Sequence, residues 1–238
     1  MTSSAAHNPP AQLDVLHRGH WFAALPDDAR QALLAVARTQ SLAPAQRLFS
    51  RGDANDGLYA VLQGAVRVGA VAPSGREALL GVIVPGQWFG EIATLDGGLR
   101  THDAVAQGQT KLLHVPLERL LAVLEAHPTL WRYLGQLVAE KLRAVFSGME
   151  DLVLLPAPAR VARRLLAMAQ GHGMWQADAA VQTVQVQQDQ LGAMLALTRQ
   201  TVSEVLGDFE ARGWLKRRRG CIDLLDPAAL AQHADRAG

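Results

Sequence analysis

Between Leu42 and Val115 the chain consists of short apolar runs, each cut by glycine within a few residues. LYAVLQGAVRVGAV (58–71) and ALLGVIVPGQWFG (78–90) are examples, and glycines stand at 52, 57, 64, 69, 75, 81, 86, 90, 97, 98 and 108. Runs this short, interrupted this often, do not make helices. Val66 and Val68 flank Arg67, the alternation of a half-buried strand. Roughly eight short strands, with glycine turns between them and no long helix among them, predict a small β-barrel or β-roll.

Helical spacing lies on both sides of this block. Pro26, Asp27 and Asp28 open a helix with acid in its first turn and apolar residues at Leu33, Leu34, Val36 and Ala37. Pro116 to Leu124 is helical again, and His127-Pro128 breaks it. A longer helix is expected over about Thr129 to Leu154, with a seam of Trp131, Gly135, Val138, Leu142, Val145, Met149 and Leu152. The steps alternate four and three, an a/d stripe over three heptads. That stripe fits a helix lying on its own β-roll and a helix pairing with a second copy equally well. LLPAPAR (154–160) then stops the helix and stiffens a hinge. The expected division is 1–128, 129–154 and 155–238.

Composition narrows the class. The 238 residues suit one to two domains, and 49% hydrophobic content is too high for a disordered chain. With 23 Lys plus Arg against 22 Asp plus Glu, overall charge says nothing about nucleic acid. Ala78 to Gly90, the longest uncharged stretch about the apolar centre, has 13 residues, short of the ~18 that span a bilayer. MTSSAAHNPP at the start has neither a basic segment nor an apolar core, so no secretory signal and a cytoplasmic location are expected. The single cysteine, Cys221, leaves no disulfide framework, iron–sulfur site or Cys₄ zinc site, and reads as a small apolar filler. HRGH (17–20) pairs two histidines without an acidic or cysteine cluster, which makes it surface rather than metal site.

Residues 187–212 form two helical stretches joined at Ala196–Leu197–Thr198. On the second, Val202, Val205, Leu206 and Phe209 share one arc, while Arg199, Gln200, Ser203 and Glu204 share the other side. Thr198 is a good N-cap; Gln187, before the first helix, is a poor one. A helix-turn-helix places such a polar N-terminal face in the major groove. Arg suits guanine, Gln adenine and Glu cytosine. After Gly213 the residues read as a β-hairpin whose basic tip, Lys216, Arg217, Arg218 and Arg219, would sit against phosphate.

WFGEIATLDGGLRTHDAV (88–105) offers a possible anion cradle. Amides of a short turn near Glu91 to Leu95 can point at phosphate, Arg100 supplies a charged fork, and Thr101 supplies a hydroxyl. Glu91 would accept from sugar hydroxyls. There is no HExxH, P-loop or nucleophile elbow, so the cradle reads as a binding site and the protein as a non-enzyme with no catalytic and no metal residues.

Four blocks in this order resemble the CRP/FNR family of bacterial transcription regulators: RGDANDGLYAVLQGAVRV (51–68), FGE then RT (89–101), ARVARRLLAMA (159–169) and DQLGAMLALTRQTVSEVLGDFEARGWL (189–215). The resemblance implies an α+β fold: an N-terminal cyclic-nucleotide-binding β-roll of the double-stranded β-helix or jelly-roll type, a long dimerisation helix, and a C-terminal winged helix-turn-helix. It implies a homodimer on a palindromic double-stranded DNA site, with RNA polymerase as partner and no membrane. Gly90 and Glu91 match the residues that contact phosphate and ribose in cyclic-AMP-responsive members; Arg100 and Thr101 match those that hold the cyclic phosphate.

Two places depart from the family pattern. His102-Asp103 follow where small residues are common, either as exposed positions or with His102 as a ligand contact. On the central helix, Val145 and Phe146 stand where hydroxyl or amide residues read the purine amine. Phe146 can stack on a base, but neither side chain accepts a hydrogen bond. The effector stays open among cyclic AMP, another nucleotide or small ligand, and none. The oxygen-sensing branch lacks its cysteines here, and a haem branch would need ligands such as His102 and His114. Gln200 and Glu204 differ from the well-known members, so no half-site carries over.

Overall fold

The computed structural model describes residues 14–71, 77–173 and 181–236. The start MTSSAAHNPP and Gly75 lie outside the described residues. The chain divides between Lys141 and Leu142 into two compact units.

The described residues of the first unit start with a 3₁₀ turn, Asp14–Arg18, and two helices, α1 (His20–Ala23) and α2 (Asp27–Val36). Pro26 is the N-cap of α2, and Asp27 and Asp28 fill its first turn, where negative charge favours the helix dipole. Six strands follow: β1 (Arg38–Leu42), β2 (Arg47–Phe49), β3 (Gly57–Val71), β4 (Glu77–Ile83), β5 (Trp88–Phe89) and β6 (Asp103–Pro116). They make one antiparallel sheet in the order β1-β6-β3-β4, with β2 on β6 and β5 on β3.

Among the described residues, the expected eight or so short strands are corrected to six, two of them long. β3 runs for 15 residues and β6 for 14. Gly64, Gly69, Gly81 and Gly108 lie inside strands instead of between them. Register shifts between Val61 and Ala65, and again at Val68/Gly69, bend β3 without ending it. Gly64 is one cause: its φ is +76°, and a Cβ there would stand 2.4 Å from the Gln109 carbonyl oxygen.

Inside the roll, Leu42, Tyr59, Val61, Val66, Phe89, Ala104, Ala106 and Leu112 form one apolar cluster. Trp21, Phe22 and Trp88 belong to a second, with Phe22 and Trp88 stacked at 5.4 Å. The short helix α3 (Glu91–Asp96) interrupts the strands, and α4 (Leu117–Ala126) follows β6. The long helix α5 spans Leu130–Leu154. Its buried residues are Leu130, Leu134 and Leu137, which lie off the heptad seam. The seam residues Trp131, Leu142, Val145, Met149 and Leu152 are exposed.

The second unit continues α5 through Pro156 into α6 (Ala157–Ala169). Strand β7 (Thr183–Gln185), helices α7 (Gln188–Leu195) and α8 (Arg199–Ala211), the hairpin β8 (Leu215–Arg218) and β9 (Cys221–Leu224), and α9 (Pro227–Asp235) complete it. The sheet order is β7-β9-β8. Val161, Leu165, Leu191, Val202, Leu206, Phe209 and Ile222 are core residues here. Among the described residues, no helix is long and apolar enough to cross a membrane.

Candidate ligand cradle and DNA-facing surface

The cradle forms where β5 hands over to α3. Gly90, the N-cap of α3, has φ 97°, a conformation side chains rarely adopt. The space above it is taken, because a Cβ on Gly90 would lie 2.7 Å from Arg100 Nη1. Gly90 and Arg100 are therefore brought together: Nη1 donates to the Gly90 carbonyl oxygen at 3.1 Å. Arg100 Nη2 donates to the Gly57 carbonyl oxygen at 2.7 Å and to the Asp56 carboxylate. The guanidinium also lies over the Phe49 ring, 4.4 Å from its centroid. Only 3% of Arg100 is exposed, and its Nε has no hydrogen-bond partner among the described residues.

Asp56 anchors this network from the loop before β3. It accepts from the Tyr59 hydroxyl as well as from Arg100. Burial pushes its carboxyl upward, but the bonds from Tyr59 and Arg100, with the charges of Arg100 and His114, outweigh that and hold it below the usual range. Burial, then the neighbouring Asp56, pushes the Tyr59 hydroxyl far up. His114 stacks on the Tyr59 ring at 4.3 Å, with Nε2 3.0 Å from the Asp56 carbonyl oxygen.

Glu91 is 2% exposed, and its Oε2 accepts from Lys141 Nζ of α5 at 2.7 Å. Thr101 is exposed, with its hydroxyl 2.9 Å from His102 Nδ1. Burial first, and then the charge of Arg51, lowers the His102 pKa, against Asp103, which raises it. Phe146 is exposed and belongs to the second unit. The structure thus assembles Gly90 and Arg100, and places Glu91 next in sequence at the start of α3.

Asp56 and Lys141 were not among the residues singled out from sequence. Lys141 had a readable signal, since it lies one helical turn before Val145 and so on the same face. Asp56 had none beyond its place in the block ANDGLY.

In the second unit, α7 and α8 are joined as the sequence predicts. Ala196 closes α7 with φ 53°, and Thr198 Oγ1 accepts from the Thr201 N–H at 3.1 Å. The weak cap expected at Gln187 is corrected: a capping box forms, with the Gln190 carboxamide oxygen accepting from the Gln187 N–H at 2.9 Å. Val202, Val205, Leu206 and Phe209 are buried. Arg199, Gln200 and Glu204 are exposed and Ser203 is half-buried. Gln200 Nε2 donates to Glu204 Oε1 at 3.0 Å, which links these two exposed side chains.

The four consecutive cations separate by role. Lys216, Arg218 and Arg219 are exposed. Arg217 turns toward α8: its N–H donates to Glu210 Oε1 at 2.7 Å, its Nε to Glu210 Oε2 at 2.8 Å and its Nη1 to the Ser203 carbonyl oxygen at 3.4 Å. Arg218 Nε lies 2.6 Å from Asp223 Oδ2 across the hairpin. Strand alternation puts Lys216 and Arg218 on one face of β8 and Arg217 on the other, so the basic run does not present all its charges to one surface.

Comparison with known proteins assigns a domain family within each unit. Residues 39–127 match the cyclic nucleotide-binding domain family, and residues 159–233 match the Crp-like helix-turn-helix domain. The chain is 28% identical over 221 residues to the CRP-like cAMP-activated global transcriptional regulator of Mycobacterium tuberculosis, covering 93% of this chain and 99% of that protein. It is 32% identical over 188 residues to the cyclic AMP receptor protein of Thermus thermophilus, covering 79% and 83%. FixK2 from Bradyrhizobium japonicum is a structural neighbour with a TM-score of 0.71 at 25% identity, covering 83% of this chain and 96% of that one.

Proposed function

The chain belongs to the CRP/FNR family of transcription regulators, and from that membership we propose that it acts as a homodimer that reads a palindromic DNA site under the control of a small effector in its β-roll. Residues 1–128 receive the effector, 129–154 pair two subunits, and 155–238 contact DNA. RNA polymerase is the downstream partner, and the cytoplasm is where such a regulator meets its DNA.

The surface of α8 carries the DNA reading. Its apolar arc is buried while Arg199, Gln200 and Glu204 remain exposed near its start, beside a hairpin with Lys216 and Arg219 at the surface. Two such helices read half-sites about one DNA turn apart, ~34 Å. The exposed seam of α5, with Val145 at 55% and Met149 at 56% exposure, supports pairing of two copies.

For the effector, the fit of Gly90, Glu91 and Arg100 to a phosphate and a sugar favours a cyclic nucleotide. Such a ligand shifts the wing domains only by binding the DNA-competent arrangement more tightly. A second reading, regulation by another effector or by none, is favoured by the apolar Val145 and Phe146 on α5. Selection from random duplexes, without nucleotide and with cyclic AMP or cyclic GMP, tests both. A palindrome enriched by a dimer-sized complex is the expected result. Enrichment unaffected by either cyclic AMP or cyclic GMP supports the second reading, and no enrichment overturns DNA readout.

A further inference from the structure

The contacts of Arg100 show a phosphate fork that is half occupied by the protein itself. An arginine presents its side-on fork through Nε–H and the neighbouring Nη2–H, and two oxygens of a carboxylate or a phosphate take both at once. Here Nη2 is spent on Asp56 and Gly57, while Nε is buried with no partner among the described residues. A buried guanidinium needs a counter-charge, because desolvated charge without one is strongly unfavourable. Asp56 supplies it from an unusual position: its side chain is 51% exposed, against 2% for that of Arg100. The cation is fixed, therefore, and the anion has open solvent beside it.

We propose that Asp56 is an internal stand-in for ligand phosphate, a latch that holds Arg100 when the β-roll is empty and is displaced when a phosphate anion enters the cradle. This rests on the nucleotide reading above and adds what sets its affinity. An incoming phosphate takes Nε and Nη2 together, satisfying the orphaned N–H that Asp56 leaves alone. The released carboxylate returns to water, where its solvation is already half in place. Tyr59 strengthens the latch by donating to the same carboxylate. Phe49 and the Gly90 carbonyl keep the guanidinium in place while its anion is exchanged.

A supporting residue and a competing residue give opposite signs on removal. Calorimetric titration with cyclic AMP, and in parallel with cyclic GMP, is run on the full chain and on Asp56→Asn, Tyr59→Phe and Arg100→Ala. The latch requires Asp56→Asn to tighten binding about tenfold or more, Tyr59→Phe to tighten it less, and Arg100→Ala to remove it. Asp56→Asn should also melt lower without ligand and show a larger ligand-induced rise in Tm than the parent. If Asp56→Asn does not fold, Tyr59→Phe decides alone by the sign of its effect. Equal or weaker binding in the variants overturns the latch and leaves the nucleotide reading standing. No heat from either nucleotide with any variant overturns both, while leaving DNA selection as a separate matter.

Discussion

Arg217 grips Glu210 twice, through its backbone N–H at 2.7 Å and its Nε at 2.8 Å, and so ties the wing to the far end of the recognition helix. The contact holds the Glu210 carboxyl below the usual range, chiefly through the backbone bond from Arg217 and then the side-chain bond. Arg217 thus holds β8 against α8, whereas Lys216, on the other face of β8, is exposed. Lys216→Ala should weaken all duplexes alike and lower the slope of log K against log salt by about one, with Tm unchanged. Arg217→Ala should lower Tm as well, and Glu210→Gln should reproduce part of its loss. Salt-series binding with parallel melts separates the two.

Arg199 opens α8, exposed beside the Thr198 cap. Arg199→Ala should cost about 1–3 kcal/mol on the selected site and relax the choice at one base pair. Gln200 and Glu204 are hydrogen-bonded to each other, so Gln200→Ala and Glu204→Ala should be non-additive on the selected site. Equal loss on random and selected duplexes would make Arg199 a phosphate contact only.

The helix-turn-helix was readable because its signals are local. Thr198, the turn at Ala196 and the apolar arc of α8 all lie within a few residues of what they control. The strand count was misread because a glycine in a bulge and a glycine in a turn are the same letter. Gly64 and Gly108 bend or relax a strand that carries on through them. Strand β7 escaped notice because three residues carry no period, and its partner β9 is far along the chain. The cradle's missing members have the same cause. Asp56 meets Arg100 across 44 positions, and Lys141 meets Glu91 across 50. No spacing rule pairs charges at that distance; the sheet and the long helix bring them together.

Glu91 and Lys141 form an ion pair with the carboxylate side almost wholly buried, side-chain exposure being 2% against 22%. Removing one partner leaves an uncompensated buried charge, and that is worse than losing the pair. Lys141→Met should therefore cost on the order of 3 kcal/mol in unfolding free energy. Adding Glu91→Gln to it should restore much of the loss. Denaturant melts of the two single variants and the double variant check this, and an additive double variant would show that the two side chains do not interact in solution.

The α5 seam gives a prediction independent of any ligand. Val145 and Met149 are both more than half exposed in a single chain and lie one turn apart. Val145→Glu with Met149→Glu should halve the mass seen by light scattering while leaving helical circular dichroism intact. DNA affinity should fall steeply, since one recognition helix covers half a palindrome. A dimer mass that survives both substitutions would move the contact away from this seam, and a monomer mass in the parent would overturn pairing altogether.

His172 sits in the middle of the 3₁₀ turn Gly171–Gly173 that follows α6, with φ 57°, a conformation that Asn tolerates better than most side chains. Burial, and then the nearby charge of Arg164, lowers its pKa from 6.5 to about 4. The folded protein thus keeps a neutral imidazole where the unfolded chain would bind a proton. Because the unfolded state binds more protons between pH 6.5 and about 4, stability rises with pH across that window. The contribution is fully present above pH 6.5, and it is lost progressively as acidification approaches the folded pKa of about 4. Its size is on the order of 3 kcal/mol. His172→Asn keeps the backbone conformation and removes the titration, so its melts from pH 7.5 to 4.5 should fall less steeply than the parent's. Parallel curves would mean that the imidazole is as well solvated in the folded protein as in the unfolded chain.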